Sequence, residues 1–243
     1  TSFAEFIARH RERFEGHVQP DVVLLVPTTD QLSVRNTALA ATRTAIRAFY
    51  EELGVAVQAV AEMRAAADLG APRLIVLPAC RGIADDAWRA VAGAVEAGAT
   101  LACTGWFEAD EAGLPAERLG LARRPLALVE AAGADPSDAA RFPGTLSESW
   151  FAAETPGPRS WRRGAGHVLH HPLPLEWAEP TAALSRFYAE ALALARVSRR
   201  VGVETDTPGL VIAVVPFARD WLVVAVNESS RDGRVTLRKP GAP

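Results

Sequence analysis

Arg73–Gly105 reads RLIVLPACRGIADDAWRAVAGAVEAGATLACTG, and the fold turns on how this stretch is divided. Leu74–Leu77 is a short continuous apolar run stopped by Pro78, the pattern of a strand covered on both faces. Asp85 and Asp86 then open a helix, where carboxylates suit the positive end of the helix dipole. Trp88, Val91, Ala92 and Val95 recur at helical spacing and define the face that meets a sheet. Gly98 closes the helix, and Thr100–Cys103 begins the next strand. Strand, helix and strand make a βαβ unit, which requires parallel strands and a right-handed crossover.

The same grammar extends toward the amino terminus. Phe3, Phe6, Ile7 and Phe14 fall on one side of a lead-in helix. Asp21–Pro27 (DVVLLVP) is the first strand, and Thr28–Ser33 is a polar loop at its carboxyl end. A helix runs from about Val34 to Leu53 and is stopped by Gly54. Val55–Ala61 is the second strand, and Glu62–Leu69 is a short helix or loop. These βα steps predict an α/β fold: a flavodoxin-like three-layer sandwich with helices on both faces of a parallel sheet.

Beyond Gly105 the period weakens. Trp106–Arg124 reads as loop, Pro125–Ala131 as a strand, and Ala132–Gly166 as a long excursion over the core. His167–His170 is one more strand, and Glu179–Ala195 a helix with Leu184, Phe187, Tyr188, Ala191 and Leu194 inward. From Val201 short apolar or alternating runs separated by turn residues predict a meander of antiparallel strands, a small carboxyl-terminal β-module. The expected domains are residues 1–198 and 199–243. So small a module cannot enclose a large core and needs a neighbour.

Composition narrows the function classes. The chain has 243 residues, 49% hydrophobic, with a formal net charge of −3. This balance gives no electrostatic reason to expect nucleic acid or an anionic membrane as partner. No run approaches the roughly 18 apolar residues of a membrane span, and the charged start TSFAEFIARHRERFEG is not a signal peptide, so the expected compartment is cytoplasmic. The start at Thr1 instead of Met points to processing or to a segment of a longer chain. Cys80 and Cys103 stand at the ends of neighbouring strands, where one bridge is conceivable and two reduced, partly buried thiols are the favoured reading.

Open α/β sheets bind ligands at the carboxyl ends of their strands. The residues converging there are Asp30, Glu62, Arg81, Thr104 and Trp106, expected to form a ligand or interface rim. Cys103 is the weak catalytic candidate. The order of elements from Leu74 to Cys103 resembles class I glutamine amidotransferases, in which a strand ends in a nucleophilic Cys on a glycine-flanked turn. Here Thr-Gly-Trp-Phe-Glu follows Cys103, and no His-x-Glu pair follows to supply base and orienter. A structural cysteine is the favoured reading, and Cys80 beside Arg81 is a weaker candidate still. His167, His170 and His171 suggest a metal only superficially, because adjacent residues of a strand point to opposite faces; surface histidines are the default, with no metal and no cofactor expected. Asp85-Asp86 and the Glu108/Asp110/Glu111 group suggest the acid pair of a glycosidase, but sequence proximity does not supply the separation such a pair needs, and Asp85-Asp86 is better explained as a helix start. Trp106, Trp150, Trp161 and Trp177 stand in loops or at element ends, where aromatic rings stack on sugars or fill protein interfaces.

Taken together, VVLLVPTTDQLS (22–33), YEELGV (50–55), the Arg73–Gly105 stretch, GHVLHHPLPLEW (166–177) and LVVAVNESSRDGRVTLR (222–238) resemble the region after the catalytic barrel in family 42 β-galactosidases. In that family an amidotransferase-like α/β trimerisation domain follows the barrel, and a small β-domain comes last. The resemblance implies a non-catalytic oligomerisation region with the parent chain's barrel as partner, a homotrimer, and a galactoside or oligosaccharide as the parent's substrate. A (β/α)₈ barrel takes about 250 residues by itself, so no catalytic glutamate carries over to this chain. The alternatives are an amidotransferase-like enzyme using Cys103, or a carbohydrate-binding module using the loop tryptophans.

Overall fold

A computed structural model describes residues 3–13, 18–29, 38–80, 82–105, 112, 118, 157–177, 181–198, 202–205, 209–218 and 221–238. In chain order the elements are α1 (Phe3–Arg9), β1 (Val22–Val26), α2 (Ala38–Arg47, continuing as a π-helical turn Ala48–Glu52), β2 (Val57–Ala61) and α3 (Ala65–Asp68). There follow β3 (Leu74–Leu77), α4 (Asp85–Glu96), β4 (Thr100–Thr104), β5 (Arg159–Arg163), β6 (Gly166–His171) and α5 (Ala182–Leu194). The chain continues through β7 (Gly202–Thr205), β8 (Leu210–Pro216), β9 (Trp221–Asn227) and β10 (Val235–Arg238).

Six strands form one sheet in the order β2-β1-β3-β4-β6-β5, parallel throughout except for β5, which runs antiparallel to β6 at the edge. The period of two along each strand divides the core. Val23, Leu25, Ile75, Leu77, Leu101 and Cys103 point to the face covered by α3 and α4. Val22, Leu24, Leu74, Val76 and Ala102 point to the face covered by α2 and α5, where Phe49 and Tyr188 pack with ring centroids 4.7 Å apart. This is the expected flavodoxin-like three-layer sandwich. Both faces are covered, which is why β1, β3 and β4 read as unbroken apolar runs.

Gly166 shows why backbone approach can demand glycine. It starts β6 directly beneath the last turn of α4, and a Cβ there would collide with the carbonyl oxygens of Val95 and Ala99. The next residue of β6 ties it to the same place: His167 donates its N–H to Ala99 O at 3.2 Å.

The carboxyl-terminal strands differ from the expected meander. β8 and β9 form a hairpin, but β7 pairs with β10, so the first and last strands are joined around the hairpin. Ile212 and Val214 of β8 are buried, with Leu210, Val223 and Val235 packed on them, a small core between two two-stranded sheets. The hairpin meets the amino-terminal end of the large sheet: Val18 donates its N–H to Pro216 O at 3.5 Å, and Pro20, Asp21 and Val55 face Val214 and Pro216 across a small cleft.

Three further differences follow. The excursion expected over Ala132–Gly166 contains β5, whose sequence RSWRR alternates too little apolar surface to announce a strand. The expected strand Pro125–Ala131 lies outside the described residues. The later helix begins at Ala182, with residues 178–180 outside the described set. Among the described residues no helix is long and apolar enough to cross a membrane.

Candidate functional site

The carboxyl edge of the parallel sheet is where the rim residues were expected. Asp30, Arg81 and Trp106 lie outside the described residues, as do Glu108, Asp110, Glu111 and Trp150. Glu62 and Thr104 are both described, and both are buried in hydrogen-bond networks.

Glu62 follows β2 directly and is 2% exposed. Its Oε2 accepts the Thr29 N–H at 2.8 Å and the Thr28 hydroxyl at 3.3 Å. Its Oε1 accepts the Thr29 hydroxyl at 2.7 Å and the N–H of Ala84, the residue before α4. Each oxygen therefore takes two donors, which fills the capacity of a carboxylate. One side chain ties the ends of β1 and β2 to the loop between β3 and α4.

A second network lies under β3, β4 and α5. Ala79, with a left-handed φ of 42°, donates its N–H to Thr104 Oγ1 at 2.8 Å. Thr104 in turn donates to Glu176 Oε2 at 2.5 Å, and Tyr188 donates to Glu176 Oε1 at 2.5 Å. Glu176 belongs to a short 3₁₀ turn, Leu175–Trp177, and is 4% exposed. Burial pushes its carboxyl up to about 7, against the two hydroxyl donors, which favour the ionised form. Burial and the neighbouring Glu176 likewise raise the Tyr188 phenol. Sequence reasoning passed over Glu176; the only signal was a single acid between Leu175 and Trp177 in a segment otherwise apolar.

Cys103 stands inside β4, fully buried, with its sulfur 3.8 Å from Leu169 O. Burial, and then the carboxyl of Glu176, push the thiol far above its ordinary range, away from the thiolate that a nucleophile requires. His170 is the register partner of Cys103 on the neighbouring strand, and both strand histidines bond the backbone. His170 Nε2 bonds Gly105 O at 2.9 Å, and His171 Nδ1 accepts the Leu173 N–H at 3.1 Å. Burial lowers both imidazoles, His171 to about 4. His170 is 8% exposed, so the expectation of a surface histidine gives way to a buried one, held by the carbonyl it bonds. Cys80 is also fully buried, with its sulfur 3.2 Å from Gly82 O. Neither cysteine is in a disulfide, and both are more deeply buried than expected. No group of three or more His, Cys, Asp or Glu side chains suited to a metal occurs among the described residues.

Asp85 and Asp86 do open α4, and Asp85 also holds Arg118, a buried residue that sequence reasoning missed, at 2.6 Å. Trp177 is buried at the 3₁₀ turn, and Trp161 lies in β5, half-buried against the α4 side of the core. In the described part of this rim the carboxyls of Glu62 and Glu176 and their hydroxyl partners hold loops together.

No protein-family model matches the sequence, and no curated protein matches it. Solved structures do match the fold. A catalytic mutant of Gan42B, a GH42 β-galactosidase from G. stearothermophilus, superposes with a TM-score of 0.61 at 15% identity, over 90% of this chain and 36% of that one. The fold is similar to that of part of a GH42 β-galactosidase. The β-galactosidase from Bacillus circulans sp. alkalophilus gives 0.60 at 11% identity, over 89% of this chain and 36% of that one. A GH42 exo-carrageenase from Bacteroides ovatus gives 0.55 at 11% identity, over 98% of this chain and 26% of that one. This chain thus spans about a third of the length of the GH42 proteins it superposes on.

Proposed function

We propose that this chain is a non-catalytic accessory and oligomerisation region, of the trimerisation-domain type, of a β-galactosidase-like glycoside hydrolase, packing against a catalytic barrel that lies outside it. One observation carries the reading: nearly the whole chain superposes on GH42 proteins while covering only 26–40% of their length. The α/β unit (1–198) then serves as the assembly domain and the β-module (199–243) as its appendage. The closed bonds of Glu62 and Glu176 support a joining role, since each spends its carboxyl on neighbouring loops. Exposed apolar side chains on the β-module, Trp221 (39%), Val226 (47%) and Leu237 (43%), support a need for further cover.

The test is made on the purified chain. Light scattering coupled to gel filtration is expected to show self-association toward a trimer as concentration rises, and a chromogenic galactoside is expected to remain intact. A strict monomer at every concentration, or galactoside cleavage by this chain, would overturn the proposal.

A further inference from the structure

In the strand order β2-β1-β3-β4, the chain leaves β1 for β2 on one side and leaves β3 for β4 on the other, so the gap beyond the carboxyl ends of β1 and β3 is the topological switch point. Sheets of this kind take their ligands there, commonly an anion lodged against backbone N–H groups and a helix N-terminus. Here Glu62 crosses from the end of β2, passes over the end of β1, and reaches the N–H of Ala84 at the start of α4. Ala84 brings no side-chain acceptor of its own to that helix start. Two backbone N–H groups and two threonine hydroxyls converge on one carboxylate that is almost wholly removed from solvent.

We infer that Glu62 is a built-in ligand: its carboxylate occupies, from within the chain, the switch-point crevice in which a small carboxylate would otherwise bind, and locks the three loops around it. The donors are set for a planar two-oxygen anion, because each oxygen meets one N–H and one hydroxyl. The crevice is thereby closed to outside anions in the native chain and opens to them when the Glu62 side chain is cut back. This inference is independent of the accessory role, since it concerns only the α/β unit's own loops.

Glu62→Ala removes a methylene and a carboxylate, for which acetate is the matching probe. The variant is expected to melt below the parent and to be restored saturably by sodium acetate beyond the effect of equal sodium chloride. The parent should respond alike to the two salts. Glu62→Gln fills the same space with an amide whose NH₂ cannot accept, so it should melt low and gain nothing specific from acetate. An unchanged melting temperature for Glu62→Ala, or equal responses to acetate and chloride, would overturn the inference. Should Glu62→Ala fail to fold in chloride, refolding in acetate alone supports it and failure in both salts refutes it.

Discussion

Replacing Glu176 by glutamine removes a buried charge while keeping the side chain's size, and the consequence depends on pH in a way the structure sets. Raising a carboxyl from 4.5 to about 7 corresponds to about 3 kcal/mol between its two protonation states. Below the unfolded value both folded and unfolded chains hold the proton, and no stability is lost. Between 4.5 and about 7 the unfolded carboxyl ionises while the folded one stays protonated, so stability falls as pH rises. Above that window the full loss is present. Glutamine has no such window, and its amide, like the protonated carboxyl that the parent holds below it, offers the hydroxyls of Thr104 and Tyr188 one carbonyl oxygen and one donor. The two proteins should therefore be of similar stability near pH 5, and Glu176→Gln the more stable near pH 8.5 by about 3 kcal/mol. Urea unfolding of both proteins across that range measures the difference. His171, whose imidazole is lowered to about 4, works in the opposite sense, adding stability as pH rises from its folded toward its unfolded value. It is common to both proteins and cancels in the comparison. Parallel stability curves, with the same difference at every pH, would refute the reasoning.

Two other expectations are read more simply. Gly166→Ala should destabilise the α/β unit by about 2–4 kcal/mol, because the new Cβ meets the backbone carbonyls of Val95 and Ala99, which cannot swing aside; a melting temperature equal to the parent's would contradict this. Cys80 and Cys103 should react with a thiol reagent at mildly alkaline pH only as fast as the chain opens, and at once in denaturant; rapid labelling of the native protein would show that Cys103 is not the buried thiol described here.

The strands whose bounds were plainest in the sequence are those buried on both faces. VVLLV and LIVL carry their own boundaries because proline follows each almost at once, and ADDAWRAVAGAVEAG displays a helix from its acidic start to its glycine stop. β5 was not legible, since RSWRR lies at a sheet edge with alternate residues in solvent and has no apolar face to betray it. The partners of β7 and β10 were not legible for a different reason: the turns between runs speak for neighbours, and nothing local distinguishes a meander from an enclosed hairpin. Glu62 and Thr104 were singled out by position at strand ends, but what they do there depends on segments far away in sequence. Thr28, Thr29 and Ala84 meet Glu62 only through the crossovers, and Glu176 reaches Thr104 only because a turn after β6 folds back beneath β4.

The enclosure of β8–β9 by β7 and β10 sets an order on assembly. A hairpin joined by a short turn closes at little entropic cost, whereas β7 and β10 must find each other across everything between them. The outer pair can zip only after the inner one has shortened that distance. Trimming the carboxyl terminus through β10 would release β7 as well and take Val235 away from Ile212 and Val214, so fraying should begin at both ends of this module together.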